Sequence, residues 1–120
     1  MSQIGEELAR ALAGKDAPAV RRLLADDVDF KALTPGRFWE AGSVDEVVEV
    51  FFGSWFEPSD EIRALLDVRT GEVGDRQSVT YRLQVHNDDG GHEVEQQAYF
   101  STVDGRVSFL RVLCSGYMPV

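Results

Sequence analysis

A chain of 120 residues, 43% hydrophobic and 28% charged, has enough material for one hydrophobic core without disulfides or metals and too little polarity for disorder. Its 21 acidic residues against 12 basic ones give a formal charge of -9, which opposes binding to nucleic-acid phosphates or anionic lipid. The single cysteine, Cys114, forms no internal disulfide, no apolar run reaches membrane-spanning length, and Met1 to Glu7 lack the form of a signal peptide, so a cytoplasmic protein with neither nucleic-acid nor membrane partners is expected.

Ile4, Leu8 and Leu12 recur at four-residue spacing and predict a first helix, which Gly14 should end in a left-handed conformation. Asp16 is placed to cap a second helix that tolerates Pro18 in its first turn and buries Val20, Leu23 and Leu24. From Asp27 the period changes to two, with Val28, Phe30 and Ala32 on one side, until Thr34-Pro35-Gly36 ends this first strand. Arg37 to Ala41 is a short connecting segment. Ser43-Val44-Asp45-Glu46 has the form of a capping box. Behind it Val44, Val47, Val48, Phe51, Phe52 and Trp55 make one broad apolar helical face, closed by Pro58.

The rest reads as strands: Ile62 to Arg69, Gln77 to His86, Glu93 to Val103, and Val107 to Ser115. Asn87 to Gly91 and Asp104-Gly105 are turn sequences, so the last three should form an antiparallel meander. Helices first and strands last predict a two-layer α+β domain spanning 1–120 as a single unit.

This order, with Ala13-Gly14-Lys15-Asp16, Leu24-Ala25-Asp26-Asp27-Val28 and Asp104-Gly105-Arg106-Val107, resembles the nuclear transport factor 2 superfamily. That superfamily includes ketosteroid isomerase and the SnoaL-like polyketide cyclases. Leu33-Thr34-Pro35, Phe38-Trp39-Glu40, Trp55-Phe56, Gln97-Ala98-Tyr99 and Cys114-Ser115-Gly116-Tyr117 are similar to an actinobacterial branch without assigned function. The resemblance implies a cystatin-like cone, in which a strongly bent, mainly antiparallel sheet curls around three helices and leaves an apolar pocket. A fold that hosts isomerases, cyclases and binders alike leaves function to the lining.

Superposing the family pattern sets Leu8 at the position of the isomerase tyrosine and Ala32 at that of its base. Counting back from Gly105 sets Gln97 at its oxyanion aspartic acid, so ketosteroid isomerase chemistry is not expected; the handling of an enolate by that enzyme is a well-described case of pKa tuning. The same count puts Glu95, Gln97, Tyr99 and Ser101 on one strand face and Leu110, Val112 and Cys114 on another, together lining the sheet side of the pocket. Phe51, Phe52 and Trp55 should close it from the helices, with Trp39 near the mouth.

Trp39, Phe51, Trp55, Gln97, Tyr99 and Cys114 are therefore the candidate ligand-binding residues, for a small apolar or aromatic molecule. Packing alone also explains an aromatic stripe at helical spacing, and core amides need only a neighbouring strand. His86 and His92 flank a solvated turn rather than forming a metal motif, and no metal or cofactor is expected. Two functions follow. One is a binding or interaction module, homodimeric through the outer sheet face. The other is a lyase or isomerase of SnoaL-like type, with Glu95 or Glu40 as acid-base catalyst.

Overall fold

The computed structural model describes residues 3–120; the first two positions of the leader reading, Met1 and Ser2, lie outside the described residues. Helices α1 (Ile4–Ala13) and α2 (Ala17–Leu23) precede strands β1 (Leu24–Thr34) and β2 (Arg37–Ala41). Helix α3 (Val44–Glu49) continues into a π-helical segment, Val50–Trp55. Strands β3 (Glu61–Val73), β4 (Arg76–Asn87), β5 (Gly90–Val103) and β6 (Arg106–Cys114) follow, with β7 (Met118–Pro119) folding back onto β5.

The sheet runs β2-β1-β6-β5-β4-β3, antiparallel except where β1 lies parallel to β6. It is an α+β arrangement in which Phe30, Leu83, Phe100 and Leu110 from the sheet are buried with Leu8, Leu12, Val47 and Phe51 from the helices. The meander predicted for the last three long strands is present.

Local chemistry explains most boundaries. The Asp16 side chain accepts from the Ala19 N–H at 3.1 Å, and Pro18 stands in the first turn of α2, where no helical donor is needed. The left-handed residue between α1 and α2 is Lys15 (φ 51°), whereas Gly14 keeps a helical φ of -83°. Lys15 is held there because its ammonium reaches over to donate to the carbonyls of Glu57 (2.6 Å) and Asp60. Leu24, expected on the stripe of α2, begins β1 instead and is fully buried there. Arg37 to Ala41 is a strand, paired with β1 through a hairpin at Pro35-Gly36.

The capping box forms with a one-residue offset. Ser43 Oγ accepts from the Glu46 N–H (3.3 Å), and Glu46 Oε1 accepts from the N–H of Gly42 (2.9 Å). The helix then widens, and the Phe56 N–H donates to the Phe51 carbonyl across five residues. This wider turn lets Phe51, Trp55 and the adjacent Phe56 all be buried, at 2%, 7% and 1% exposure.

Candidate functional site

The pairing of β4, β5 and β6 decides which side chains enter the cone. Near the Asp104-Gly105 turn, Val103 pairs with Arg106 and Thr102 with Val107; beyond it, Ser101 pairs with Phe109. Ser108 is thus the extra residue of a β-bulge, and the register slips by one. Cys114 then faces Gln96, Val112 faces Ala98, and Leu110 faces Phe100.

A one-residue slip exchanges the faces of the partner strand. The β6 residues Leu110, Val112 and Cys114 point inward as expected, but on β5 the inward set is Val94, Gln96, Ala98 and Phe100. Glu95, Gln97 and Tyr99 do share one face, and it is the outer face of the sheet. Gln97 and Glu95 line a shallow surface groove with Leu113, and the Tyr99 hydroxyl donates to Gln97 Oε1 at 3.3 Å. The polar groups of β5 that enter the interior are Gln96, 1% exposed, and His92, 9% exposed. The alternation of Val94, Ala98 and Phe100 is the sequence signal that marks that face as inward.

Across the inner surface the register builds cross-strand rows. Trp39, Ala32, Val112, Ala98 and Val79 form one row. Cys114, Gln96 and Tyr81 form the next, about 7 Å along the strands. The Tyr81 hydroxyl donates to Gln96 Oε1 at 2.6 Å, and Gln96 Nε2 donates to Cys114 Sγ at 3.4 Å. Cys114 Sγ also accepts from the Gly116 N–H at 3.4 Å. Burial, reinforced by the neighbouring Cys114, pushes the Tyr81 phenol far above its ordinary pKa, so it stays a neutral donor.

The helical side supplies the aromatics. Trp55 packs on Phe51 (ring centroids 5.5 Å), Phe30 (6.0 Å) and, edge to face, Trp39 (6.0 Å). Trp39 is half-buried; its Nε1 donates to Thr34 Oγ1 at 2.8 Å, and the Arg37 guanidinium lies 3.7 Å over its ring. Trp55 Nε1 is buried with no protein partner. The Trp55 carbonyl accepts from the Tyr117 hydroxyl (2.8 Å), whose pKa is raised by burial and then by the nearby Asp60. Trp39, Phe51 and Trp55 therefore meet in the interior, Cys114 joins Gln96 in the neighbouring row, and Gln97 and Tyr99 stand on the outer face.

The remaining candidates fall elsewhere. Leu8 and Ala32 are buried and inert. Glu40 is exposed on β2. Arg111 donates to the Asp29 carbonyl and carboxylate at 2.9 and 3.3 Å, and this hydrogen bond holds the Asp29 carboxyl below its ordinary pKa. His92 is buried beside Tyr117 (5.6 Å between rings) while His86 sits on β4, and no metal-ligating cluster occurs among the described residues. No described helix is long and apolar enough to cross a membrane.

Three solved structures give the arrangement its context. One is a protein of ketosteroid isomerase-like fold from Catenulispora acidiphila, in complex with trimethylamine: TM-score 0.76, 14% identity, covering 96% of this chain and 87% of that one. The chain has the ketosteroid isomerase-like, cystatin-like fold. The same cone is seen in a Mycobacterium tuberculosis epoxide hydrolase of LEH-like type, with TM-score 0.70, 15% identity and coverage of 94% and 80%. A Mesorhizobium loti protein assigned by its name to the SnoaL-like polyketide cyclases also has it, with TM-score 0.68, 16% identity and coverage of 93% and 98%. No family model and no curated protein sequence matches the chain. Within this fold, Tyr81, Gln96 and Cys114 form a polar row and Trp39 and Trp55 an edge-to-face indole pair.

Proposed function

We propose that the chain is a binding and interaction module of 1–120, a cytoplasmic homodimer that pairs through the outer face of its sheet. The observation that carries this reading is an apolar groove of about 350 Å3 along β2, β1 and β6. Phe38 pairs with Leu33 and Leu33 with Leu113, and these three outward side chains are 53%, 52% and 53% exposed. Tyr99 extends the strip onto β5, and Lys31 and Arg111, both paired with the Asp29 carboxylate, edge it. An in-register apolar strip on a twisted sheet is self-complementary under a two-fold axis, and a second copy would remove it from water.

Sedimentation velocity tests this. The wild-type chain should sediment as a dimer, and the double variant Leu33→Glu/Leu113→Glu as a folded monomer with unchanged circular dichroism. A wild-type monomer at high micromolar concentration would refute the pairing.

A second reading, small-molecule binding in the cone, is favoured by the unpartnered Trp55 N–H beside Trp39. It also draws on the trimethylamine held by the Catenulispora acidiphila protein. The lyase or isomerase alternative has less support, because Glu95 lies on the outer face and Glu40 is exposed, so neither supplies the cone with a carboxylate.

A further inference from the structure

The outer face of the sheet carries two grooves that share one residue. The apolar groove along Phe38, Leu33 and Leu113 is edged by Lys31 and Arg111. A second groove of about 280 Å3 lies on the other side of Leu113 and is lined by Glu95, Gln97 and Ser115.

Strand register sets these side chains in rows. Phe38, Leu33, Leu113 and Gln97 form a central row across β2, β1, β6 and β5. Arg111 stands two residues from Leu113 on one side of that row, and Glu95 two residues from Gln97 on the other. Two residues of a strand span about 7 Å, so the guanidinium and the carboxylate flank the apolar row at matching distances.

Their surroundings are opposite in sign. Arg111 Nη1 and the Lys31 ammonium share the Asp29 carboxylate, at 3.3 and 3.5 Å, and Glu40 stands across from Lys31 on the edge strand, away from Arg111. A guanidinium has five N–H groups, so Arg111 keeps donors beyond Nη1. Beside Glu95, the cross-strand neighbour Arg82 is already paired with Asp67 and with Glu93 (3.4 Å), and among the described residues Glu95 has no ion pair.

Two copies of this face can meet about a two-fold axis laid along the strands or along the central row. An axis along β6 would exchange β1 with β5. It would set Leu33 against the partner's Gln97 and Arg111 against the partner's Arg111, apolar against polar and like charge against like. An axis along the central row keeps each strand over its own copy and inverts the rows. Phe38, Leu33 and Leu113 then stack on themselves, and each Arg111 comes level with the partner's Glu95, about 4.8 Å to the side. Facing sheets lie about 10 Å apart, a gap that an arginine and a glutamate side chain together bridge.

We infer that the two-fold axis of the homodimer lies along the Phe38-Leu33-Leu113 row, and that Arg111 of each protomer pairs with Glu95 of the other, so that these charges select a second copy and fix its orientation. The inference rests on the pairing of copies through the outer face and adds the contact that makes it specific.

Sedimentation velocity of charge-reversed chains tests this. In a homodimer, Glu95→Arg and Arg111→Glu each bring like charges together twice, so each should raise the dimer dissociation constant at least about tenfold. An equimolar mixture of the two variants should recover a dimer of near wild-type affinity, because one protomer then brings two cations and the other two anions. Circular dichroism checks that each variant is folded.

Single variants that dimerise as tightly as wild type would overturn the axis and the ion pair while leaving the homodimer standing. Weakened variants whose mixture stays monomeric would overturn the pairing as well. A wild-type monomer would sink the inference together with the reading beneath it. If Arg111→Glu does not fold, Glu95→Gln decides: it should weaken the dimer and flatten its dependence on salt, and an unchanged salt dependence would overturn the pair.

Discussion

Replacing Tyr81 by Phe removes one oxygen from the interior and leaves its partner behind. Tyr81 and Gln96 are 2% and 1% exposed, and their 2.6 Å hydrogen bond is shielded from water. Orphaning the Gln96 carbonyl oxygen should cost about 2 kcal/mol, within the roughly 1–3 kcal/mol typical of a buried unsatisfied group. Gln96→Leu orphans the Tyr81 hydroxyl and should cost a similar ~2 kcal/mol.

The double variant Tyr81→Phe/Gln96→Leu leaves neither group stranded and nearly preserves shape, so it should cost only ~1 kcal/mol. The coupling between the two sites is then about 3 kcal/mol, at the upper end of contacting pairs. Urea unfolding reads this directly. Each single variant should lower the midpoint by about 1 M with unchanged slope, and the double by about half as much. A double variant less stable than either single one, by the sum of their effects, would refute the closed polar row.

Gly116 (φ 76°) and Gly105 (φ 77°) adopt the same left-handed backbone, but a Cβ on Gly116 would lie 2.8 Å from Pro35 Cγ while one on Gly105 would meet open space. Gly105→Ala should cost about 1 kcal/mol and Gly116→Ala clearly more; equal thermal midpoints would show that the Pro35 ring yields. Burial raises the pKa of Tyr81 and Tyr117, so the folded state keeps protons that the unfolded chain gives up above about pH 10. Stability should therefore be flat with respect to these groups below that pH and fall above it. The phenolate absorbance lost in Tyr81→Phe should rise only together with loss of circular dichroism, and reversible ionisation of Tyr81 in the folded protein would contradict this.

Much of the architecture is written in local patterns. The period-two run of Val28, Phe30 and Ala32, the Asp16 and Ser43 caps, and the Asp104-Gly105 turn each depend on neighbours within a few residues, so one chain suffices to read them. The inward face of β6 and the approach of Trp39 to Trp55 were legible for the same reason. What tertiary structure alone decided is the register between strands and the phase of the third helix. A bulge at Ser108 is one residue of slack chosen by packing, and it exchanged Gln97 for Gln96 at the interior. The π-helical turn after Val50 is another, and it ends with Trp55 and Phe56 both buried. Residue types and periods are local properties. Which of two alternating faces meets the core depends on the sum of every insertion between the paired residues, and that sum is settled only when the sheet closes.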